Sequence, residues 1–257
     1  MFLTYTYAIL FYLAVAVFVI GVGRKIYQYA TTPAPLKIPT TPAPTTTSGV
    51  VLRMFREVVF FESLFKATKW TWLFGWMFHI ALLLAFIRHL RYVVSADSIL
   101  GLLIGLDVVQ AFGKYASFAL MLGLVGLFAR RIFVDRVRYI SSPSDYLMLI
   151  LLFGIAGSGA MMTFVARIDV VALKAFVLGL IYFDFNYTMH PLPDSLLLLA
   201  HLGMVIVLLF VFPISKLLHA PGVFFSPTRN QADNPREKRH LCDWAAQLES
   251  AGSKPQQ

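Results

Sequence analysis

The sequence contains very little cysteine and little charge, and both shortages limit what the protein can be. Its single cysteine, Cys242, rules out an internal disulfide, a CxxC zinc or redox site and the CxxCH attachment of c-type haem. Only 14% of the 257 residues are charged, whereas 58% are hydrophobic and the mean hydropathy is +0.72. A soluble domain needs more polar surface than this composition supplies. The sequence therefore predicts an integral membrane protein in which any haem is held by coordination alone.

Acidic residues are also scarce, since 13 Asp and Glu stand against 22 Lys and Arg. In a soluble protein this excess would favour nucleic acid as a partner, but here the basic residues follow the ends of apolar segments. Seventeen of them fall in residues 24–69, 130–138 and 216–257, and five fall elsewhere. Because cytoplasmic loops carry the excess of Lys and Arg, these three segments are predicted to be cytoplasmic, and no nucleic acid is expected as a partner.

Five apolar segments are long enough to cross a bilayer, which predicts an all-α membrane protein with five transmembrane helices. Their predicted positions are 2–22, 70–87, 111–129, 146–166 and 195–218. The first has Arg24 and Lys25 after it and no basic residue before it, the reverse of a signal peptide. It is therefore predicted to be uncleaved, with a periplasmic N-terminus and, after five crossings, a cytoplasmic C-terminus. Residues 170–182 are apolar but too few to cross, and are predicted to be re-entrant or interfacial.

The remaining parts of the chain are predicted to lie on the cytoplasmic side. Residues 24–69 begin with a Thr/Pro-rich stretch that repeats TTPAP at 31–35 and 40–44, typical of an extended spacer, with partner docking as the alternative. Residues 51–69 mix apolar and basic positions, which predicts an amphipathic helix in the membrane interface. Residues 70–219 are predicted to form a four-helix core, and 220–257 a cytoplasmic tail that docks a partner.

Four of the six histidines lie on two of the predicted spans. His79 and His89 are ten residues apart on the second, and His201 and His219 are eighteen apart on the fifth, a spacing that returns both to one face of a continuous helix over roughly 27 Å. Because the two helices run in opposite directions, the pairs predicted at equal depth are His79 with His219 and His89 with His201. Each could be a hydrogen-bonded packing residue, but a set of four at two depths favours metal ligation.

Haem suits these pairs better than zinc does. Structural zinc gathers four ligands at one site, whereas haem iron needs only two axial ligands, so two haem b groups with four histidine iron ligands are predicted. Arg130 and Arg131, at the cytoplasmic end of the third span, either contact propionates of the inner haem or only set the topology. The fourth span carries Gly154, Gly157 and Gly159, which admit a planar group or a packed helix. His190 and His240 are expected to have structural or docking roles.

With these features the chain resembles the gamma subunits of respiratory nitrate reductase, a family of five-helix membrane cytochromes b with two b haems. The motifs that carry the resemblance are Phe78-His79-Ile80, His89, Arg130-Arg131-Ile132-Phe133, Ser144-Asp145-Tyr146, His201 and Phe212-Pro213-Ile214-Ser215-Lys216-Leu217-Leu218-His219. The resemblance implies that His79 and His219 bind the haem near the cytoplasm, and that His89 and His201 bind the outer one.

Residues 221–240 are more similar to the DsrM branch, the cytochrome subunits of the membrane complex that accompanies dissimilatory sulfite reductase. This resemblance implies a cytoplasmic iron–sulfur partner of the DsrK kind, together with further membrane and periplasmic subunits. The family's quinol-site lysine precedes the third helix, whereas Lys114 lies deeper. Lys114, Arg88 and Asp107 are quinone-site candidates because they are polar residues near the predicted outer haem.

The expected function is electron exchange between the quinone pool, with menaquinol as the expected quinol, and a cytoplasmic iron–sulfur partner in sulfur metabolism. The chain would be the electron-transfer subunit of a quinol-linked oxidoreductase complex in a prokaryotic inner (cytoplasmic) membrane. Quinol is expected to react at the outer side, and electrons to leave past the inner haem. The alternatives are the gamma subunit of a respiratory nitrate reductase, and a haem-free transporter whose histidines relay protons.

Overall fold

The computed structural model describes residues 1–34, 36–95, 97–186, 190–234, 241 and 243–252, and over these ranges it is helical without any strand. His240, Cys242 and the basic residues at 236–239 lie outside the described residues. The α-helices are α1 Phe2–Thr31, α2 Thr47–Val59, α3 Glu62–Ala67, α4 Lys69–His89, α5 Ile99–Gly105, α6 Asp107–Phe133, α7 Asp135–Tyr139, α8 Pro143–Phe164, α9 Val170–Ile181, α10 Leu196–Val211, α11 His219–Gly222, α12 Pro227–Asn230 and α13 Asp243–Gly252.

Five of these elements are long and apolar enough to cross a membrane. They are Phe2–Thr31, Lys69–Tyr92, Asp107–Phe133, Pro143–Phe164 and Leu196–Ile214, which confirms the five predicted spans. α9 has only 12 residues, so the prediction that this apolar segment is too short to cross is also confirmed. The protein is a multi-pass membrane protein.

The chain forms two compact units. The core unit contains Met1–Val19 and Ser63–Pro213, and the linker–tail unit contains Ile20–Glu62 and Ile214–Gln257. In the core unit, α4 packs on α6, α6 on α8 and α8 on α10. The buried side chains at the centre of this packing are Phe78, Ala81, Ala116, Leu120, Leu124 and Ala156.

Small residues on α6 let α4 approach closely. A methyl group added at Gly123 would come within 3.0 Å of the carbonyl oxygen of Phe74 and of the Phe78 side chain. One added at Gly113, ten residues earlier, would come within 2.8 Å of the Cβ of Arg88. Each of these contacts includes backbone or Cβ atoms, which cannot move aside as the end of a flexible side chain could. Glycine is therefore needed at both positions for the two helices to approach this closely.

A second buried cluster joins α1, α9 and α10 within the core unit. It contains Ala8, Leu173, Phe176, Leu192 and Leu198. Two hydroxyls from α1 reinforce it: Tyr7 donates to the carbonyl oxygen of Leu199 and Tyr12 to that of Leu180, both at 2.8 Å. The short helix α9 is thereby held against the two terminal spans.

The fifth helix is not continuous, so the prediction of one helix over 195–218 is wrong in its last third. α10 ends at Val211, and a single 3₁₀ turn follows at Phe212–Ile214, where Pro213 lacks the amide hydrogen that an α-helix needs. Ser215 then takes an extended conformation with φ −101° and ψ 171°, and a second 3₁₀ turn leads into α11. The calculation that placed His201 and His219 on one helix face therefore does not apply.

The linker–tail unit is formed by two segments distant in sequence. The amide of Thr40 donates to the carbonyl oxygen of Thr228 and the amide of Asp233 to that of Pro44, both at 2.8 Å. The amide of Ile38 also donates to the side chain of Gln231 at 3.1 Å. The Thr/Pro-rich stretch is thus more than a spacer, because it pairs with the tail. These contacts also require the linker and the tail to lie on the same side of the membrane. The five spans require the same, because four of them separate the linker from the tail.

The predicted amphipathic helix over 51–69 is broken in two. α2 ends at Val59 and α3 begins at Glu62, and between them Phe61 has a positive φ of 51°. The inner face of α2 consists of Val50, Arg53, Met54 and Glu57. Val51, Leu52, Phe55 and Val58 form an exposed apolar face, at whose edge the exposed Arg56 pairs with Glu62 at 2.9 Å. Inside the unit Glu57 forms an ion pair with Arg229 at 2.8 Å.

Candidate metal-ligand histidines

His89 and His201 come together in the core unit. His89 is the last residue of α4 and is exposed, whereas His201 lies near the start of α10 and is 9% exposed. Their ring centroids are 6.5 Å apart and their planes differ by 6°. The predicted pairing of these two residues is therefore found in the structure.

This separation matches two imidazoles on opposite sides of one metal ion. A metal–nitrogen bond to histidine is about 2 Å long and the ring centre lies roughly 1.2 Å further on, so two axial rings have centroids roughly 6 to 6.5 Å apart. The centroid distance is compatible with His89 and His201 as the two residues that would hold one haem iron.

Ser158 on α8 holds the ring of His201. Its hydroxyl donates to the carbonyl oxygen of Gly154 at 2.7 Å, so its oxygen accepts from Nδ1 of His201 at 2.9 Å. A methyl group at Gly159 would lie 3.5 Å from Cε1 of the same ring. The α8 glycines thus have distinct roles: Gly159 adjoins the imidazole, whereas a methyl group at Gly154 would meet the sulfur of Met204 at 2.7 Å.

All four predicted ligands have Nδ1 engaged in the same way. Backbone carbonyl oxygens accept from His79 (Gly75, 2.7 Å), His89 (Ala85, 2.6 Å) and His219 (Lys216, 2.8 Å). Because a carbonyl can only accept, Nδ1 must carry the proton, and the neutral ring keeps its lone pair on Nε2. Such an arrangement orients a metal-binding histidine and raises the basicity of the coordinating nitrogen.

The second predicted pair is divided between the two units. His79 is half-buried in the middle of α4, in the core unit, and His219 is exposed at the start of α11, in the linker–tail unit. The pairing of His79 with His219 therefore stays a prediction. A cavity of about 640 Å³ opens beside His219, with Tyr29, Lys216, Leu218 and Phe225 among its walls. This volume is in the range of cofactor pockets.

The two arginines predicted near the inner haem differ in their contacts. Arg131 donates to the hydroxyl of Ser141 at 2.8 Å and lies 3.5 Å from the buried carboxylate of Asp145. Asp145 in turn accepts from the backbone amide of Ser142 at 3.0 Å, which caps α8. The Ser-Asp-Tyr motif thus stabilises the start of α8 and anchors Arg131. Contacts of Arg130 and Arg131 with propionates stay a prediction.

The three quinone-site candidates lie on α4 and α6. Arg88 precedes His89 and rests on Gly113, one residue before Lys114. The ammonium of Lys114 lies 5.3 Å from the ring centre of Phe164 and 5.7 Å from that of Tyr115. Asp107 is exposed in the first turn of α6. Lys114 is therefore inside the third span, as the sequence predicted.

Three residues that the sequence did not single out as site residues lie at the His89–His201 pair, namely Ser158, Tyr92 and Arg91. Ser158 contacts His201 from another helix, and no sequence spacing links these two positions. Tyr92 lies 6.0 Å from His89 between ring centroids, and Arg91 stacks on Tyr92 at 4.9 Å. The nearness of Arg91 and Tyr92 to His89 in sequence could have drawn attention to them.

His190 lies 3.4 Å from the carboxylate of Asp184, which fits a structural role.

Comparison with known proteins identifies the family. The family model for the nitrate reductase gamma subunit matches residues 62–233, about two thirds of the chain. The chain belongs to the nitrate reductase gamma subunit family. The matched region contains all four predicted ligand histidines, and the resemblance drawn from the sequence is confirmed.

The chain is also similar to two archaeal proteins. A protein of Archaeoglobus fulgidus is 36% identical over 276 aligned positions, which cover 91% of this chain and 81% of the relative. One of Archaeoglobus profundus is 31% identical and covers 93% and 82%, respectively. Both are named "Hdr-like menaquinol oxidoreductase cytochrome b-like subunit". These names are consistent with the DsrM branch suggested by the tail.

Proposed function

We propose that this member of the nitrate reductase gamma subunit family is a di-haem b electron-transfer subunit linked to menaquinol. The observation that carries the proposal is the His89–His201 pair, with ring centroids 6.5 Å apart and planes within 6° of parallel. The support lies in the combination of this spacing with Nδ1 of both rings engaged in hydrogen bonds, which leaves Nε2 of each ring for a metal. The names of the Archaeoglobus relatives support both the cytochrome and the menaquinol assignments.

The proposal assigns two haem groups to the four histidines. His89 and His201 would hold the outer haem, with Ser158 and the Ala85 carbonyl fixing the tautomers that present Nε2. His79 and His219 would hold the inner haem, and the cavity beside His219 supports this role. Bound haem supplies one-electron redox chemistry, while the protein supplies axial ligands, orientation and a low-dielectric surrounding.

The orientation proposed for the membrane is N-terminus outside and C-terminus inside. The linker–tail unit supports it, because this unit unites the two segments with the largest numbers of Lys and Arg. A positively charged side of a membrane protein is normally cytoplasmic. The exposed apolar face of α2 would then lie in the cytoplasmic membrane interface.

The proposed partner is a cytoplasmic iron–sulfur subunit of the DsrK kind, within a complex that has further membrane and periplasmic subunits. The tail supplies a docking surface for it. Trp244 and Leu248 of α13 are 67% and 64% exposed and lie four residues apart, on one helix face. Exposed aromatic residues of this kind are typical anchors at protein interfaces. The proposed role in dissimilatory sulfur metabolism rests on the similarity of the tail to the DsrM branch of the family.

Menaquinol is proposed to react near the outer haem, beside the crossing of α4 and α6. Arg88 contacts Gly113 at this crossing and Lys114 is the next residue of α6, and both side chains can donate to a quinone oxygen. Asp107, at the start of α6, is a candidate for passing protons to the outer side. Oxidation of one quinol there would release two protons outside and send two electrons, one at a time, towards the inner haem and the cytoplasmic partner.

The haem proposal is tested by counting haem per chain and by the reduced-minus-oxidised spectrum of the purified protein. Two non-covalent b haems are expected. His89→Ala and His201→Ala should each lose the same haem, and His79→Ala and His219→Ala the other. His190→Ala is the matched control and should keep both. A protein without haem would favour the proton-relay transporter, and haem retained on the chain after acid-acetone extraction would contradict b-type binding.

The position of the quinol site is tested separately. A menaquinol analogue should reduce the outer haem of the His79→Ala protein, which lacks the inner haem. If the outer haem stays oxidised there, yet the inner haem of the His201→Ala protein is reduced normally, quinol reacts on the cytoplasmic side and this part of the proposal is wrong.

A further inference from the structure

Arg91 has an arrangement that its contacts within the protein do not explain. It lies in the 3₁₀ turn Leu90–Tyr92, two residues after His89. Its guanidinium stacks over the ring of Tyr92 at 4.9 Å, and Nη2 donates to the hydroxyl of Tyr92 at 2.9 Å. Its Nε is buried and has no hydrogen-bond partner. The ring of Tyr92 is also 6.0 Å from that of His89.

A buried guanidinium hydrogen without an acceptor is unfavourable and calls for an explanation. Among the described residues, no carboxylate forms an ion pair with Arg91. The neighbouring charged residue on the same helix end, Arg88, is also cationic and increases the need for a negative group. The turn thus presents a positive charge and a buried donor, both beside the His89–His201 pair.

We infer that Arg91 binds an anionic oxygen group at this site, namely a propionate carboxylate of the outer haem. A planar guanidinium has the fork geometry that suits a carboxylate, and stacking on Tyr92 holds it in place. The phosphate of a lipid headgroup offers the same chemistry, and the experiment separates the two sources. The inference rests on the proposed function, because it requires haem at His89 and His201.

The test compares wild type with Arg91→Gln and Arg91→Lys, using haem content and the midpoint potential of each haem. Arg91→Gln should lower the potential of the outer haem alone, since an uncompensated propionate favours the oxidised, more positive iron. Arg91→Lys should lower it less, because it keeps the charge but not the fork. Arg167→Gln, which removes an exposed arginine from the same unit, is the control and should change neither potential.

The source of the anion is identified by reconstituting each protein with protohaem dimethyl ester, whose propionates carry no charge. If Arg91 binds a propionate, the ester should raise the outer potential of wild type, because it removes a negative charge beside the iron, and Arg91→Gln should weaken binding of haem at the outer site but not binding of the ester. If Arg91→Gln changes binding of haem and of its ester equally, and its potential shift depends on the phospholipid content of the vesicles, the anion is a lipid phosphate and the inference is wrong.

The remaining outcomes distinguish this inference from the proposed function. Normal haem content with an unchanged outer potential in Arg91→Gln would overturn the inference alone. A wild-type protein without haem would overturn the proposed function and the inference with it. If Arg91→Gln does not fold, Arg91→Lys serves instead: its smaller shift should disappear with the ester, and persistence of the shift would contradict propionate binding.

Discussion

The hydroxyl oxygen of Ser158 lies 2.9 Å from Nδ1 of His201, and the same hydroxyl donates to the carbonyl oxygen of Gly154. Ser158 therefore accepts from the imidazole and determines which nitrogen His201 presents to a ligand. It belongs to α8, whereas His201 belongs to α10, so this contact couples the packing of two spans to the chemistry of the site.

Replacing Ser158 should weaken haem binding at the outer site without disturbing the inner one. Ser158→Ala removes the acceptor, leaves Nδ1–H of a buried ring unsatisfied and allows the ring to turn. Loss of such a supporting contact typically lowers affinity by about 10- to 100-fold. The measurement is competitive haem release monitored by absorbance. Thr163→Ala is the control, because Thr163 also donates to a carbonyl of α8, that of Gly159 at 2.9 Å. Equal haem release from both variants would contradict the role given to Ser158.

Alanine at Gly123 should destabilise the core unit. Helix propensity alone favours alanine by about 1 kcal/mol. The added methyl group would, however, approach the Phe74 carbonyl oxygen to 3.0 Å, and overpacking costs about 1–3 kcal/mol. The clash should prevail because backbone atoms cannot move away. Thermal unfolding in detergent measures the effect.

Gly23 provides the matched comparison, since a methyl group there has nothing within 4 Å. Gly23→Ala should leave stability unchanged or raise it slightly. If Gly123→Ala were as stable as Gly23→Ala, the close approach of α4 and α6 would not depend on glycine.

Breaking the Arg229–Glu57 ion pair should loosen the linker–tail unit. Glu57 is 9% exposed, so Arg229→Ala leaves a nearly buried carboxylate without its guanidinium, at a cost of about 1–3 kcal/mol. The expected result is faster proteolytic cleavage within residues 32–46, with the outer haem retained. Arg138→Ala is the control, since its partner Asp135 is exposed and the pair contributes little. Unchanged cleavage would show that backbone pairing alone holds the linker.

Removing the end of the tail should release the cytoplasmic partner while both haems remain. Truncation after Asn234 preserves the contacts of Thr228, Gln231 and Asp233 with the linker, so the linker–tail unit should stay folded. Co-purification of the partner with full-length and truncated chains is the measurement. A finer version replaces Trp244 and Leu248 by alanine, with Ser250→Ala on the opposite helix face as control. Partner retained by the truncated chain would rule out tail docking.

The apolar face of α2 should contact lipid. After Cys242 is replaced, a fluorophore on a cysteine at Phe55, which is 55% exposed, should be quenched by lipid-attached quenchers and protected from water-soluble ones. A label at Thr45, in the exposed linker, should respond in the opposite way. If the label at Phe55 becomes protected from water-soluble quenchers only when the partner subunit is added, this face binds protein instead.

The sequence alone determined the membrane class, the number of spans and the ligand candidates. Long apolar runs and low charge leave only helices as a solution in a bilayer, because every backbone polar group must be satisfied internally. The same reasoning identified 170–182 as too short to cross. Imidazoles within apolar spans are costly enough to indicate function, and this consideration singled out His79, His89, His201 and His219.

Only the tertiary structure decided how these elements are used. Hydropathy did not place the end of α10 at Val211, since 195–218 is mostly apolar; Pro213 is a local signal for the break, but only the structure shows the extended backbone of Ser215 that separates α10 from His219. The pairing of linker and tail joins segments almost 190 residues apart, and no local pattern reports such contacts. The contact of Ser158 with His201 and the burial of Arg91 Nε likewise arise from packing. Composition and periodicity report local free energies, whereas these features depend on which surfaces meet.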